Sequence, residues 1–240
     1  MKKNVLASAD PSPDTFSGRC YYFSNDGADS NDGLSPQSAL KTPGMVEHLP
    51  LQRGDAILFR RGDIFRGTIN CKHDGITFSA WGEGEKPVIC GSARNYAEPE
   101  LWEKSEVPGI WVCTLPINNA GVITFDHDPR ITGKYDVLLG FSVPLEPEME
   151  PSPLHLKNDL DFFSDLDTNT LYLKSEKNPG LRFKQIEIGE NIHLFCFRGG
   201  IREDLTVDNL HITLTGAHAV SFTGTKILNV SRKMLSTLII

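Results

Sequence analysis

Short apolar runs, each closed by a turn within a few residues, most constrain what this chain can fold into. Residues 56–59, 68–71, 76–80 and 88–90 are such runs. Gly54-Asp55 and Gly62-Asp63 each place a turn ahead of an apolar stretch, and Gly82-Glu83-Gly84 with Lys86-Pro87 supplies the corner between the last two runs. The rhythm returns at residues 186–188, 192–197, 205–214, 219–222 and 227–230. Strands this short, followed by turns rather than crossover helices, suit a coil of sheet winding around a core. The class expected is all-β.

The spacing divides the chain into four parts. Residues 1–18 hold Ser, Asp and Pro without periodicity and read as a flexible arm. Residues 19–94 read as an amino-terminal cap and the first coils. Within them Thr42-Pro43 predicts the N-cap and first position of a short helix through His48. Residues 95–184 lose the rhythm and read as a β-rich insertion. It contains Trp102, Trp111, a proline-rich stretch at 143–153, and a hairpin of Phe162-Phe163 with Leu171-Tyr172-Leu173 turning at 165–169. Residues 185–240 read as resumed coils that stop in mid-pattern at Ile240, with 234–240 apolar where an array needs a polar cap. This predicts a truncated array that self-associates through its open carboxy-terminal coil.

With 240 residues the chain can bury a real core as one large or two small domains. A net charge of -7 argues against a nucleic-acid partner but leaves an acidic polysaccharide open, since a local Arg/Lys groove can coexist with an acidic whole. The five cysteines are odd in number and lack CxxC spacing, and Cys90, Cys113 and Cys196 sit among apolar neighbours. Buried thiols are expected, rather than disulfides or metal ligands. No run reaches transmembrane length, and residues 5–17 are too polar for a signal-peptide core, so no export signal is visible and localisation stays open.

Several segments together are similar to a known family. Tyr21-Tyr22-Phe23-Ser24 with Gly27-Ala28-Asp29-Ser30-Asn31-Asp32-Gly33, and the stretch from Arg53 to Asp63, resemble the opening of right-handed parallel β-helix proteins of the pectin-lyase-like superfamily. Residues 76–91 look like their early-coil turn, with Trp81 where tyrosine is common. Asp161-Phe162-Phe163, Leu171-Tyr172-Leu173 and Asn178-Pro179 resemble a segment that precedes the regular coils in many bacterial members. The resemblance implies a right-handed parallel β-helix, here incomplete at its carboxy-terminal end, with a short capping helix and a β-rich insertion. It also implies a secreted or periplasmic polysaccharide lyase or glycoside hydrolase acting on the outer face of its central coils, the region in which this chain ends. Calcium enters only through the resemblance; the residues themselves show no cofactor and no metal site.

The resumed coils carry Arg198, Arg202, Glu203, Asp204, His211 and His218. A lyase needs a base to take a proton beside a carboxylate and a cation to stabilise the enolate. Arg198 or Arg202 suits the second role and His218, in a turn flanking a strand, the first; outward polar residues on a solvated sheet are the plainer reading. Other motifs have plain readings as well. The repeated Arg-Gly-Asp at 53–55 and 61–63 reads as turns, not an adhesion signal, and Asp26, Asp29 and Asp32 read as Asx-turns, not an EF-hand loop. Asp126-His127-Asp128-Pro129-Arg130 reads as a charged turn, though its carboxylates have glycosidase-like proximity. Asn229-Val230-Ser231 is a glycosylation triplet that means nothing without secretion. The leading expectation is a carbohydrate-active protein lacking most of the catalytic coils. The alternatives are a non-catalytic glycan-binding or adhesive β-helix, and an inactive fragment.

Overall fold

The structure, a computed structural model, describes residues 16–126, 152–199, 202–223, 227–228 and 231–233. The described residues fall into two compact units. The first holds those up to Cys90, with Leu194–Thr213 and those from Ala219 onward; the second holds those of Gly91–His193 and Leu214–His218.

In the first unit β1 (Cys20–Phe23) lies parallel to β2 (Ala56–Arg60). The chain then runs through β3 (Ile64–Arg66) and β4 (Ile69–Cys71) before β5 (Thr77–Trp81) returns parallel against β2, and β6 (Val88–Cys90) returns parallel against β3. The second unit follows, with β7 (Ser92–Asn95), β8 (Trp102–Lys104), β9 (Ile110–Cys113), β10 (Ala120–Phe125), β11 (Phe162–Asp165), β12 (Thr170–Lys174), the single-turn α1 (Pro179–Arg182) and β13 (Ile186–Glu190). Its strands form two antiparallel sheets, ordered β10-β13-β7 and β11-β12-β9-β8. Back in the first unit, β14 (Phe195–Arg198) lies parallel to β4. It is followed by β15 (Arg202–Glu203), β16 (Thr206–Asp208) on β5, and β17 (His211–Thr213) on β6. β18 (Val220–Thr223), β19 (Ile227–Leu228) and β20 (Ser231–Lys233) then pair with β14, β15 and β16. The first unit thus has four separate parallel sheets, β1-β2-β5-β16-β20, β3-β6-β17, β4-β14-β18 and β15-β19, which the chain visits in rotation. The described residues are all-β apart from short helical turns.

Parallel pairing in register stacks like on like. Phe23 pairs with Phe59, their rings 5.2 Å apart, and Phe197 pairs with Phe222 at 5.1 Å. Phe78 meets Phe195 edge-on at 5.4 Å. Such ring pairs contribute about 0.5–1.5 kcal/mol each beyond the area they bury. The turns stack too: Gly18 N–H donates to Gly54 O (3.0 Å), Gly54 N–H to Gly75 O (2.8 Å) and Gly75 N–H to Glu203 O (2.9 Å). Gly54 and Gly75 have φ of +95° and +67°, which explains glycine at this corner.

The amino-terminal edge is covered. Tyr22 N–H donates to Gly33 O, Leu40 N–H to Tyr22 O and Ser24 N–H to Leu40 O, so residues 33–40 run along β1. Of the arm expected over 1–18, residues 1–15 lie outside the described residues, while Phe16 packs on the Tyr22–Leu58 cluster and Gly18 is bonded to Gly54. The helix expected from Pro43 to His48 is a 3-10 turn (Pro43–His48), and Thr42 does not cap it: its hydroxyl donates to Asp29 (2.7 Å) instead. Shorter proline-led turns form at Pro36–Ser38, Pro99–Leu101, Pro153–His155 and α1; three or four residues are too few to show a period, so the sequence pattern does not announce them.

In the second unit the hairpin forms where the sequence places it, Phe162 pairing with Leu173 and Asp165 with Thr170. Its inward residues join Trp102, Ile123, Ile186 and Ile188 in one core. Asn178 accepts from Gly180 N–H and donates to Pro99 O and Trp102 O, clamping α1 to the preceding turn. Residues 186–190 do not open the resumed ladder as their spacing suggests: β13 pairs antiparallel with β10 and β7. Cys71, Cys90, Cys113 and Cys196 are buried, Cys20 is half-buried, and none forms a disulfide. No helix among the described residues is long and apolar enough to cross a membrane.

Candidate functional site

In Ile69-Asn70-Cys71-Lys72 apolar and polar residues alternate, so a strand here turns two side chains in and two out. Ile69 and Cys71 are buried, Asn70 is half-buried and Lys72 exposed. Pairing sets Asn70 beside Cys196 and Cys196 beside Ser221, a row across β4, β14 and β18 with strands about 4.8 Å apart, in which Asn70 and Ser221 are half-buried and Cys196 is buried. Phe197 pairs with Cys71; exposed Arg198 then ends β14, and exposed Lys72 follows β4.

Glu47 reaches this row from the Pro43–His48 turn, which Val46 and Pro43 anchor by burial. Its Oε1 accepts from Lys72 Nζ (2.7 Å) and its Oε2 from Asn70 Nδ2 (3.2 Å). The hydrogen bond from Lys72, reinforced by that residue's charge, holds the Glu47 carboxyl below the usual carboxylate range. An ionised carboxylate accepts hydrogen bonds from hydroxyls or takes a proton; it does not donate one. β4, β14 and β18 contain no acidic residue, so the row offers one carboxylate where glycoside hydrolysis uses two. Sequence reasoning does not single out Glu47, Asn70, Lys72 or Ser221, although the alternation in 69–72 marks Asn70 and Lys72 as outward. Nothing local connects Glu47 to them.

The three residues proposed from sequence are divided between the units. Arg198 ends β14 and Arg202 opens β15, paired with Ile227, both in the first unit. His218 belongs to the second, exposed, its ring 5.1 Å from that of His193. Within the same unit Gly216 N–H donates to Glu190 O (2.8 Å) and Thr215 Oγ1 to Ile192 O (2.7 Å), fastening the stretch that carries His218. His211 is half-buried between buried Leu210 and Ile212.

Of the aspartates read as turn residues, Asp32 and Asp55 bond backbone N–H groups two or three residues away, whereas Asp26, Asp29 and Asp63 hold residues distant in sequence. Asp55 Oδ1 accepts from Arg19 N–H (2.8 Å) and its Oδ2 from Gln52 N–H (2.9 Å), while Asp63 accepts from Asn25 N–H (2.8 Å). Asp26 pairs with Arg60, Asp29 holds Lys41 and Thr42, and Asp32 holds Leu34 and Ser38. Burial pushes the Asp29 carboxyl up, but the bonds from Thr42 and Lys41 outweigh it and the net shift is downward. Asp126 accepts from Lys184 and Gln185 N–H; His127, Asp128, Pro129 and Arg130 lie outside the described residues, as does Asn229. Among the described residues no three His, Cys, Asp or Glu side chains are grouped to hold a metal ion.

No protein-family model matches the chain, and no curated protein matches it. Solved structures do. The complex of XylC with xylose aligns with a TM-score of 0.54 at 16% identity, over 83% of this chain and 36% of that one. A glycoside hydrolase aligns at 0.47 and 13%, over 82% and 51%. The native GH136 lacto-N-biosidase from Eubacterium ramulus aligns at 0.38 and 20%, over 88% and 23%. The chain spans well under two thirds of each, and at 16% identity the likeness to XylC is one of fold.

Proposed function

We propose that the first unit forms coils of a right-handed parallel β-helix and that the protein is carbohydrate-active, holding a polysaccharide along the β4-β14-β18 sheet beside half-buried Asn70 and Ser221 and exposed Lys72 and Arg198. The rotation of successive strands through the same sheets carries this reading, because it repeats an outward position once per coil at strand spacing. A polymer of like units then meets a row of polar side chains: Glu47, Asn70, Lys72, Ser221 and Arg198. Arg198 supplies positive charge beside the row, and Arg202 of β15 follows it in the same unit. XylC, similar in fold, is a protein solved with a sugar.

Turnover would proceed by elimination or by hydrolysis. Binding without turnover is the second reading, favoured by strands that hold no acid. The test is a panel of uronic-acid and neutral glycans, followed by unsaturated-product absorbance, by reducing ends and by retardation in glycan-containing gels. Retention that falls in Arg198→Ala is expected. Neither retention nor turnover on any glycan would sink the proposal.

A further inference from the structure

We infer that Glu47 sets the charge preference of this row, holding the Lys72 ammonium so that the face receives uncharged sugars in preference to uronates. The inference rests on the polysaccharide reading above. Lys72 follows β4 and Arg198 ends the neighbouring β14, both exposed, and two cations near the ends of paired strands would by themselves suit a polyanion. Glu47 changes that. One of its oxygens takes the Lys72 ammonium and the other the Asn70 amide, so two contacts orient it over the row. The turn behind it is anchored by buried Val46 and Pro43, which keeps the carboxylate in place.

An incoming sugar carboxylate must therefore displace a carboxylate already bonded to Lys72 and face its like charge. Neutral hydroxyls meet no such cost: they can donate to Glu47 and accept from Asn70 and Lys72. The charge of the whole chain, -7, acts in the same direction on an approaching polyanion. No single segment signals this, since Glu47 and Lys72 are 25 positions apart and meet only when the turn packs on β4.

The experiment compares the intact protein with Glu47→Gln, Lys72→Met and the double variant on gels containing xylan or polygalacturonate. Glutamine keeps an oxygen that can accept from Asn70 or Lys72 and removes the charge. Glu47→Gln is expected to raise polygalacturonate retention about two- to fivefold, the range of one exposed ion pair. Salt should reverse the gain, the double variant should lose it, and xylan retention should change by a smaller factor than polygalacturonate retention. Acylation of the Lys72 amine, read by peptide mass spectrometry, should also be faster in Glu47→Gln, independently of any glycan. An unchanged ratio of polygalacturonate to xylan retention overturns the inference, as does unchanged Lys72 labelling. Raised labelling with no glycan retained by any variant overturns the polysaccharide reading, and the preference with it.

Discussion

The two Arg-Gly-Asp turns are identical in sequence and differ in what surrounds their aspartates, so removing each carboxylate should have unequal effects. The Asp55 side chain is 3% exposed and receives two backbone N–H groups, from Arg19 and Gln52, besides the Arg19 guanidinium at 3.1 Å. Asp55→Ala leaves both N–H groups without that acceptor at the start of β2. Hydrogen bonds to a charged acceptor contribute about 1.5–3 kcal/mol, and the low end applies because Arg19 and Gln52 are themselves exposed. The ion pair adds little, since the Arg19 side chain is 41% exposed. The two hydrogen bonds together give about 3 kcal/mol. Asp63→Ala removes one exposed contact, to Asn25 N–H, and should cost about 1 kcal/mol or less. Urea unfolding followed by Trp81 fluorescence, in a Trp102→Phe/Trp111→Phe background, reports the first unit, because these are the chain's three tryptophans and Trp81 lies in β5. Midpoint shifts that place the two variants within about 1 kcal/mol of each other would refute the argument that burial, rather than the triplet, decides the role of the aspartate.

Gly216→Ala should destabilise the second unit by about 1–3 kcal/mol, because a Cβ there would lie 2.5 Å from Glu190 O and 2.6 Å from Gly189 O. Unfolding read from Trp102 and Trp111 checks it, and an unchanged midpoint would contradict the close packing. A hydrogen bond from Arg182 outweighs burial and holds the Asp159 carboxyl below its usual range. A depressed folded-state pKa stabilises above the unfolded value, so this contribution is lost as pH falls below about 4. Asp159→Asn should flatten that acid loss of the second unit's midpoint. Burial, reinforced by Glu190 and Cys113, pushes the Tyr96 hydroxyl up to about 12. Its contribution is present below the unfolded value of about 10 and is lost as pH rises from there through about 12. Tyr96→Phe should remove the latest step from the tyrosinate absorbance titration.

Much of the local structure is legible in the sequence, because it depends on residues that are neighbours along the chain. Gly54, Gly62 and Gly82 all have positive φ at the turns inferred from Gly-Asp and Gly-Glu. The hairpin closes at Asp165, whose Oδ1 accepts from Asp167 and Thr168 N–H, and Asn169 takes a positive φ. Thr42 shows how such signals fail: the residue suits an N-cap, but Asp29, a distant acceptor in sequence, takes its hydroxyl. Of the candidate site, only the alternation at 69–72 and the cation at Arg198 can be read in this way.

Spacing, side-chain type and the conformations that glycine and aspartate allow suffice to establish three properties of this protein. The chain is built of short strands and turns, particular residues of those strands face inward, and its cysteines pack as buried thiols apart from half-buried Cys20. Partners are another matter, and tertiary packing sets them. Residues 186–190 alternate like a ladder strand, yet they pair antiparallel in the second unit, because a period of two fixes faces without fixing the direction of the neighbour. Arg198 and His218, 20 positions apart, fall into different units, while Glu47 and Lys72, 25 apart, meet where the Pro43–His48 turn packs beside β4. Contacts of that kind depend on how elements pack across many residues, and no local pattern encodes them.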